Sequence, residues 1–130
     1  MEKIFSCLEG EMPYKVEIIA VPVGEDMVVM LHGGQRPHIG AVAVSIPRPS
    51  LKNPETTSAT TSIYALVGHK EDELAKAAAQ RLASALNKNV VLTAGIHVEN
   101  IHPEGIEIVE KNCRIVLESL INYYQRSQTF

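Results

Sequence analysis

The order of the periodic segments constrains the fold of this chain more than any other feature of its sequence. Four segments have the length and the Val/Ile-rich composition of β-strands: 14–23, 27–31, 41–46 and 62–67. A helical pattern begins only afterwards, at 71–86, and a fifth strand at 90–98 separates it from a second amphipathic helix at 103–124. This order, β-β-β-β-α-β-α, predicts an α+β fold in which two helices cover one side of a mostly antiparallel sheet.

Size and composition predict a single domain over residues 1–130. Apolar residues make up 45% of the chain and charged residues 21%, which is ordinary for a globular protein. Residues 1–12 mix charge, glycine and apolar side chains without a clean period, so they form either a loose arm or a short strand.

Charge and cysteine content exclude several classes of protein. The formal net charge of −3 argues against binding nucleic acid by broad phosphate neutralisation. Cys7 and Cys113 are too few for a disulfide scaffold and are predicted to be free thiols. No apolar stretch has the roughly 20 residues needed to cross a bilayer, so no membrane contact and a cytoplasmic location are expected.

The glycine-rich loop after the second predicted strand has the chemistry of an anion site. Gly33 and Gly34 precede Arg36 and His38, and Gly40 closes the loop. Glycines allow successive N–H groups to point at one place, and an arginine supplies a planar fork for phosphate or carboxylate. The alternative is a plain turn with a solvated arginine, since no Walker or dinucleotide spacing is present.

A second candidate binding segment runs from 47 to 62 and is predicted to be a long loop. Arg48 lies between two prolines, and the hydroxyls of Ser50, Ser58 and Thr60 follow it. Loops longer than about 12 residues in a compact domain are commonly functional or disordered. A binding role for this loop and a merely solvated Ser/Thr segment both remain open.

The strand before this loop has one small and one branched face. Ala41, Ala43 and Ser45 alternate with Val42, Val44 and Ile46. The small face would let a helix or a flat ligand approach the backbone closely, and helix packing is the commoner reason.

Histidines are the remaining candidates for chemistry. His38 and His69 lie in glycine-flanked loops, where they suit ligand contacts or proton transfer, although a hydrogen-bonded loop histidine is the simpler interpretation of each. No HExxH, CxxC or GxSxG motif occurs, so neither a metal site nor a set of catalytic residues is predicted.

With these residues in view, the chain resembles the LpdD-like family of small bacterial and archaeal proteins. The resemblance is carried by RPHIGAVAVSIPRPSL, TSATTSIYALVGHKEDELA and VLTAGIHVENI, and it extends from about Gly33 into the last helix. It implies a chaperone for prenylated flavin mononucleotide that is associated with UbiD-type decarboxylases. It also implies a dimer with a fold similar to that of eukaryotic proteasome assembly chaperones.

The leading hypothesis is a non-enzymatic protein that binds prenylated FMN, in its reduced or maturing form, and hands it to an apo-decarboxylase. The expected ligand contacts are Arg36, His38, Gly40, Arg48, Ser50, Ser58, Thr60 and His69. In this hypothesis Arg36 and Arg48 hold the phosphate together, and the small strand face receives the flavin ring.

Two other functions remain as alternatives. One is an assembly chaperone that binds a partner protein without a ligand of its own. The other is a small hydrolase or isomerase with His38 or His69 as general base, which lacks an evident partner carboxylate or nucleophile.

Overall fold

A computed structural model describes residues 3–66 and 71–127 of the chain. The described residues form six strands and two helices: β1 Phe5–Glu9, β2 Val16–Val23, β3 Asp26–Gly34, β4 Ala41–Pro49, β5 Thr57–Ala65, α1 Glu71–Leu86, β6 Val90–His97 and α2 Pro103–Ser127. The α+β class and the predicted succession of elements are confirmed, with one more strand at the beginning. This strand, β1, shows that residues 5–9 of the N-terminal segment pair with β2.

One sheet contains all six strands in the order β1-β2-β3-β6-β4-β5. Four of its ladders are antiparallel, and only β3 and β6 are parallel. The almost uninterrupted apolar sequence of β6 suits this central position, because a strand between two neighbours is covered on both sides. The prediction of a mostly antiparallel sheet is confirmed, and the strand predicted at 90–98 is β6, which lies inside the sheet between β3 and β4.

Both helices lie on the same face of this sheet. Alternate residues of β2 and β3, such as Ile18 and Val29, are fully buried, as are Ala79 and Leu82 of α1 and Leu120 of α2. α1 covers β4, β5 and β6, whereas α2 covers β1 and β2. The opposite face of the sheet carries no helix, and we call it the open face. No helix in the described ranges is long and apolar enough to span a membrane.

The local sequence explains where α1 begins and ends. Glu71, Asp72 and Glu73 occupy its first turn, where negative charge interacts favourably with the helix dipole. The helix ends at Leu86, and Asn87 follows with φ of 54°, a left-handed conformation that asparagine tolerates better than most residues. Both bounds agree with the predicted helix, while α2 continues three residues beyond the predicted end.

The structure corrects the expectation that the small face of β4 could receive a flat ligand. Ala41, Ala43 and Ser45 are fully buried beneath the helical layer. The branched residues point to the open face instead, where Val44 and Ile46 are 40% and 54% exposed. A ligand on β4 therefore meets the branched side chains.

The structure also corrects the predicted long loop at 47–62. The β4–β5 ladder continues to the pair Pro49↔Thr57, so only residues 50–56 connect the strands. Prolines fit this strand because the last pair between β4 and β6 is Ser45↔Val90, which leaves the later β4 residues without a neighbour on that side.

Candidate functional site

The predicted site residues divide into two groups at opposite ends of β4. Arg36, His38 and Gly40 precede the strand, and Arg48 lies near its end. Seven residues of extended strand separate Ala41 from Arg48, which places their Cα atoms about 23 Å apart. The hypothesis that Arg36 and Arg48 share one pocket within a single chain is therefore wrong.

The first group forms what we call the histidine cluster: Arg36, His38, Glu71, His97 and Glu99. Residues 35–40 cross the ends of β3 and β6, where the Gln35 amide donates to the His97 carbonyl (2.8 Å) and the Gly40 amide to Ala94 (2.8 Å). Gly95 permits this crossing, because a Cβ there would collide with the His38 backbone.

Four amides of this loop are engaged in backbone hydrogen bonds. Gly34 donates its amide proton to the Lys15 carbonyl, and the amides of Gln35 and Arg36 both point at His97. Gly40 is similarly occupied, since its amide and its carbonyl both take part in backbone hydrogen bonds. Four of the N–H groups that the predicted anion site could use, those of Gly34, Gln35, Arg36 and Gly40, are therefore already engaged in the fold.

His38 is held between two hydrogen-bond acceptors. Its Nδ1 lies 3.1 Å from the Arg36 carbonyl oxygen, and its Nε2 lies 3.2 Å from Glu71 Oε1. Both ring nitrogens therefore contact acceptors within the chain. This leaves neither nitrogen directed at a substrate, which argues against the hydrolase hypothesis for this residue.

Carboxylates dominate the rest of the histidine cluster. The Arg36 guanidinium forms an ion pair with Glu99, and His97 Nε2 lies 3.4 Å from the same carboxylate. The hydrogen bond from Arg36, with a smaller contribution from His97, lowers the pKa of Glu99. Glu71 Oε2 is buried, and it has no hydrogen-bond partner among the described residues. Arg36 is thus already paired with a carboxylate, and Glu71 adds a second carboxylate to the cluster.

The second group, which we call the arginine cluster, consists of Arg48, Ser58 and Thr60. Arg48 Nε donates to Thr60 Oγ1 (2.8 Å) and Nη1 donates to the Pro49 carbonyl (3.1 Å). Ser58 is the cross-strand partner of Arg48. No carboxylate within residues 3–66 or 71–127 forms a salt bridge with this half-buried guanidinium.

Apolar surface adjoins the arginine cluster on the open face. Ile46 lies two residues before Arg48 and points to the same side of the strand. Next to it, Val28, Val44 and Val91 contribute to a cavity of about 180 Å³. The cluster therefore places an uncompensated cation beside an aliphatic surface, which suits an amphiphilic anion.

The remaining predicted residues have different positions. Ser50 Oγ accepts hydrogen bonds from the Lys52 and Asn53 amides and so belongs to the loop turn. His69 lies outside the described residues. Gly40 is buried against the Glu71 side chain, which explains the need for glycine there without a ligand.

Sequence reasoning did not select Glu71, His97 or Glu99 as site residues. Glu71 resembles an ordinary dipole-matching acid of a first helical turn, His97 is the last residue of β6, and Glu99 lies two residues beyond it. Their association with residues 36–38 depends on tertiary contacts that span more than 30 residues. In the described part of the chain, no group of three or more His, Cys, Asp or Glu side chains is arranged to bind a metal ion.

Comparisons with known proteins agree with this architecture. The family model described as "Prenylated flavin chaperone LpdD-like domain" matches residues 10–125. A solved chain from a chaperone complex for yeast 20S proteasome assembly superposes with a TM-score of 0.56 at 13% identity, over 95% of each chain. At that identity the likeness establishes the fold alone. No curated protein sequence matches the chain.

Proposed function

This chain belongs to the LpdD-like family of prenylated flavin chaperones, and from that premise we propose that it binds reduced prenylated FMN and delivers it to a UbiD-type decarboxylase. The family and the assembly-chaperone fold support an accessory role without catalysis of its own. The observation that carries the proposal is the unpaired Arg48 guanidinium beside an exposed apolar face.

The phosphate of the flavin is assigned to the arginine cluster. A guanidinium has five N–H donors, and Arg48 uses two of them in hydrogen bonds with the described residues, which leaves three for phosphate oxygens. The Thr60 hydroxyl accepts from Arg48, so its own proton is free to donate. Ser58 adds a second hydroxyl from the neighbouring strand position.

The ring system is assigned to the adjacent aliphatic surface of Val44, Ile46 and Val91. These side chains are 38–54% exposed, and the cavity beside them would accommodate one end of a flat apolar group. Covering the aliphatic side chains removes apolar area from water, which contributes roughly 25 cal/mol per Å². Arg48 and this surface together match the charged and apolar ends of a flavin mononucleotide.

The cavities of a single chain are too small to enclose such a ligand. Two cavities on the sheet have volumes of about 200 and 180 Å³, whereas ligand pockets typically measure 300–1,000 Å³. We therefore place the flavin on the open face and assign its second wall to another copy of the chain. Exposed large apolar side chains accumulate on that face, as expected of an interface: Leu8, Val28, Val44, Ile46, Tyr64 and Val91.

A pair of arginine variants tests the proposal. We expect wild-type protein to bind reduced prenylated FMN in an anaerobic titration, and Arg48→Gln to weaken binding about 10- to 100-fold through loss of a charge-assisted contact. Arg36→Gln is the matched control, because Arg36 is paired with Glu99 at the other end of β4. Its affinity should equal that of the wild type. Absence of binding by the wild type, or equal losses in both variants, contradicts the assignment.

The apolar open face also supports a second candidate function, that of an assembly chaperone that covers a partner protein directly. In that case the wild-type chain would copurify with a decarboxylase subunit and would not bind the flavin. The titration above therefore separates the two functions.

A further inference from the structure

The hairpin of β4 and β5 extends beyond the rest of the sheet. The β4–β6 ladder ends at Ser45↔Val90, but β4 and β5 continue through four further pairs, from Ile46↔Thr60 to Pro49↔Thr57. Four residues of strand correspond to about 13 Å. Residues 50–56, which we call the hairpin tip, therefore lie at the end of a projecting two-stranded ribbon.

Hydrogen bonds fix the conformation of the hairpin tip. The Ser50 amide donates to the Thr56 carbonyl (2.8 Å), and the Thr56 amide and hydroxyl both donate to the Asn53 carbonyl (2.9 and 2.8 Å). The Glu55 amide donates to Asn53 Oδ1 (3.2 Å). A segment that is already ordered loses little conformational entropy when it binds a partner.

Leu51 is the apolar side chain that this ordered tip presents. It is 88% exposed, more than any other large apolar residue in the described ranges. A single exposed leucine is common on protein surfaces, but this one lies three residues from Arg48, on the connection that follows it. A protein that covers Leu51 would thus reach the end of β4 to which the flavin phosphate is assigned.

We propose that Leu51 on the hairpin tip is the anchor by which this chain docks onto the decarboxylase that receives the flavin. The inference rests on the proposed function, because it takes the ligand site at Arg48 as the place of transfer. The partner surface it requires is an apolar pocket for one leucine at the entrance of the flavin site. A second copy of the chain is the alternative occupant that the experiment must separate.

The test measures binding of flavin-loaded chain to a UbiD-type decarboxylase from the same organism, purified without its flavin, by anaerobic biolayer interferometry. Leu51→Asp should weaken this complex at least about 10-fold, since burial of a leucine is worth that factor or more. Ile108→Asp is the matched control on α2, where the residue is 41% exposed. It should bind like the wild type. A photo-crosslinking residue should label the decarboxylase from position 51 and not from position 108.

Separate measurements on the same proteins distinguish the possible failures. Unchanged affinity of Leu51→Asp for the decarboxylase, or no complex with the wild type, overturns the docking proposal even if the flavin binds. Conversion of a wild-type dimer to monomer by Leu51→Asp also overturns it, because the tip would then contact a second copy. Failure of the wild type to bind the flavin overturns the proposed function itself.

Discussion

Substitution of Gly95 by alanine tests how the histidine cluster is assembled. An added Cβ would lie 2.5 Å from the carbonyl carbon of His38, closer still to its oxygen, and 3.1 Å from the Gly40 nitrogen. Carbon atoms in contact prefer about 3.5 Å, so residues 38–40 must move away from β6 by roughly 1 Å. That movement breaks the hydrogen bond from the Gly40 amide to Ala94.

The expected loss of stability follows from three contributions. Overpacking against backbone costs about 1–3 kcal/mol. The lost hydrogen bond adds about 1 kcal/mol. A glycine-to-alanine change also lowers the conformational entropy of the unfolded chain, which stabilises the folded protein by about 0.4–1 kcal/mol. We expect a net decrease of about 2 kcal/mol in the free energy of unfolding.

Urea denaturation measures this change, with Gly24→Ala as the control. Gly24 has φ of 61° but no atom within 4 Å of an added Cβ, so only backbone strain of about 1 kcal/mol opposes alanine there. The folded Gly95→Ala protein should still bind the flavin with wild-type affinity, because the arginine cluster is at the other end of β4. If Gly95→Ala is no less stable than Gly24→Ala, the described contact between residues 38–40 and β6 is refuted.

Three further predictions follow from charge, burial and the open face. Arg36 lowers the pKa of Glu99 below its ordinary value of 4.5, so this pair contributes stability above pH 4.5 that is lost as the pH falls through the lowered value. The difference in urea midpoint between wild type and Arg36→Gln should therefore shrink on acidification, and a constant difference contradicts it. Burial raises the pKa of the Cys113 thiol to about 12, so iodoacetamide at pH 8 should leave this thiol unmodified until the protein unfolds. Mass spectrometry of the labelled protein checks this prediction, and equal labelling of Cys7 and Cys113 in the folded protein would contradict it. Val44→Asp places a charge on the open face and should convert a wild-type dimer to monomer in light scattering, whereas a monomeric wild type removes the basis for that interface.

Periodicity was sufficient to predict the elements that bury one continuous face. The bounds of α1 are predictable because its apolar positions recur at the helical spacing. Those of β6 are predictable to within one residue because its apolar residues form an almost uninterrupted run. β1 was left undecided because five residues of mixed polarity give no clear period. The hairpin at 46–60 is not predictable from the sequence, because Pro47 and Pro49 indicate a loop. Both prolines lie beyond the last β4–β6 pair, on a strand edge without a neighbour, and only the pairing of β4 with β6 reveals that position.

The candidate site was harder to predict for a geometric reason. Arg36 and Arg48 are close in sequence, but the strand between them is extended, and extension separates its ends by about 3.3 Å per residue. A helix over the same seven steps, from 41 to 48, would have separated its ends by only about 10 Å. Conversely, Glu99 is far from Arg36 in sequence and yet contacts it, because parallel pairing of β3 and β6 brings their ends together.

The pairing of charges within the fold separates the two ends of β4 more clearly than residue type does. At the histidine cluster, Arg36 is paired with Glu99, and Glu71 adds a second carboxylate beside His38. At the arginine cluster, three guanidinium protons and the Thr60 hydroxyl proton are not used by hydrogen bonds within the described residues. An anion at Arg48 replaces water on accessible donors with charge-assisted hydrogen bonds and does not have to displace a carboxylate of the described residues. This unpaired charge, and not the number of cations in the sequence, is the physical reason to place the ligand at Arg48.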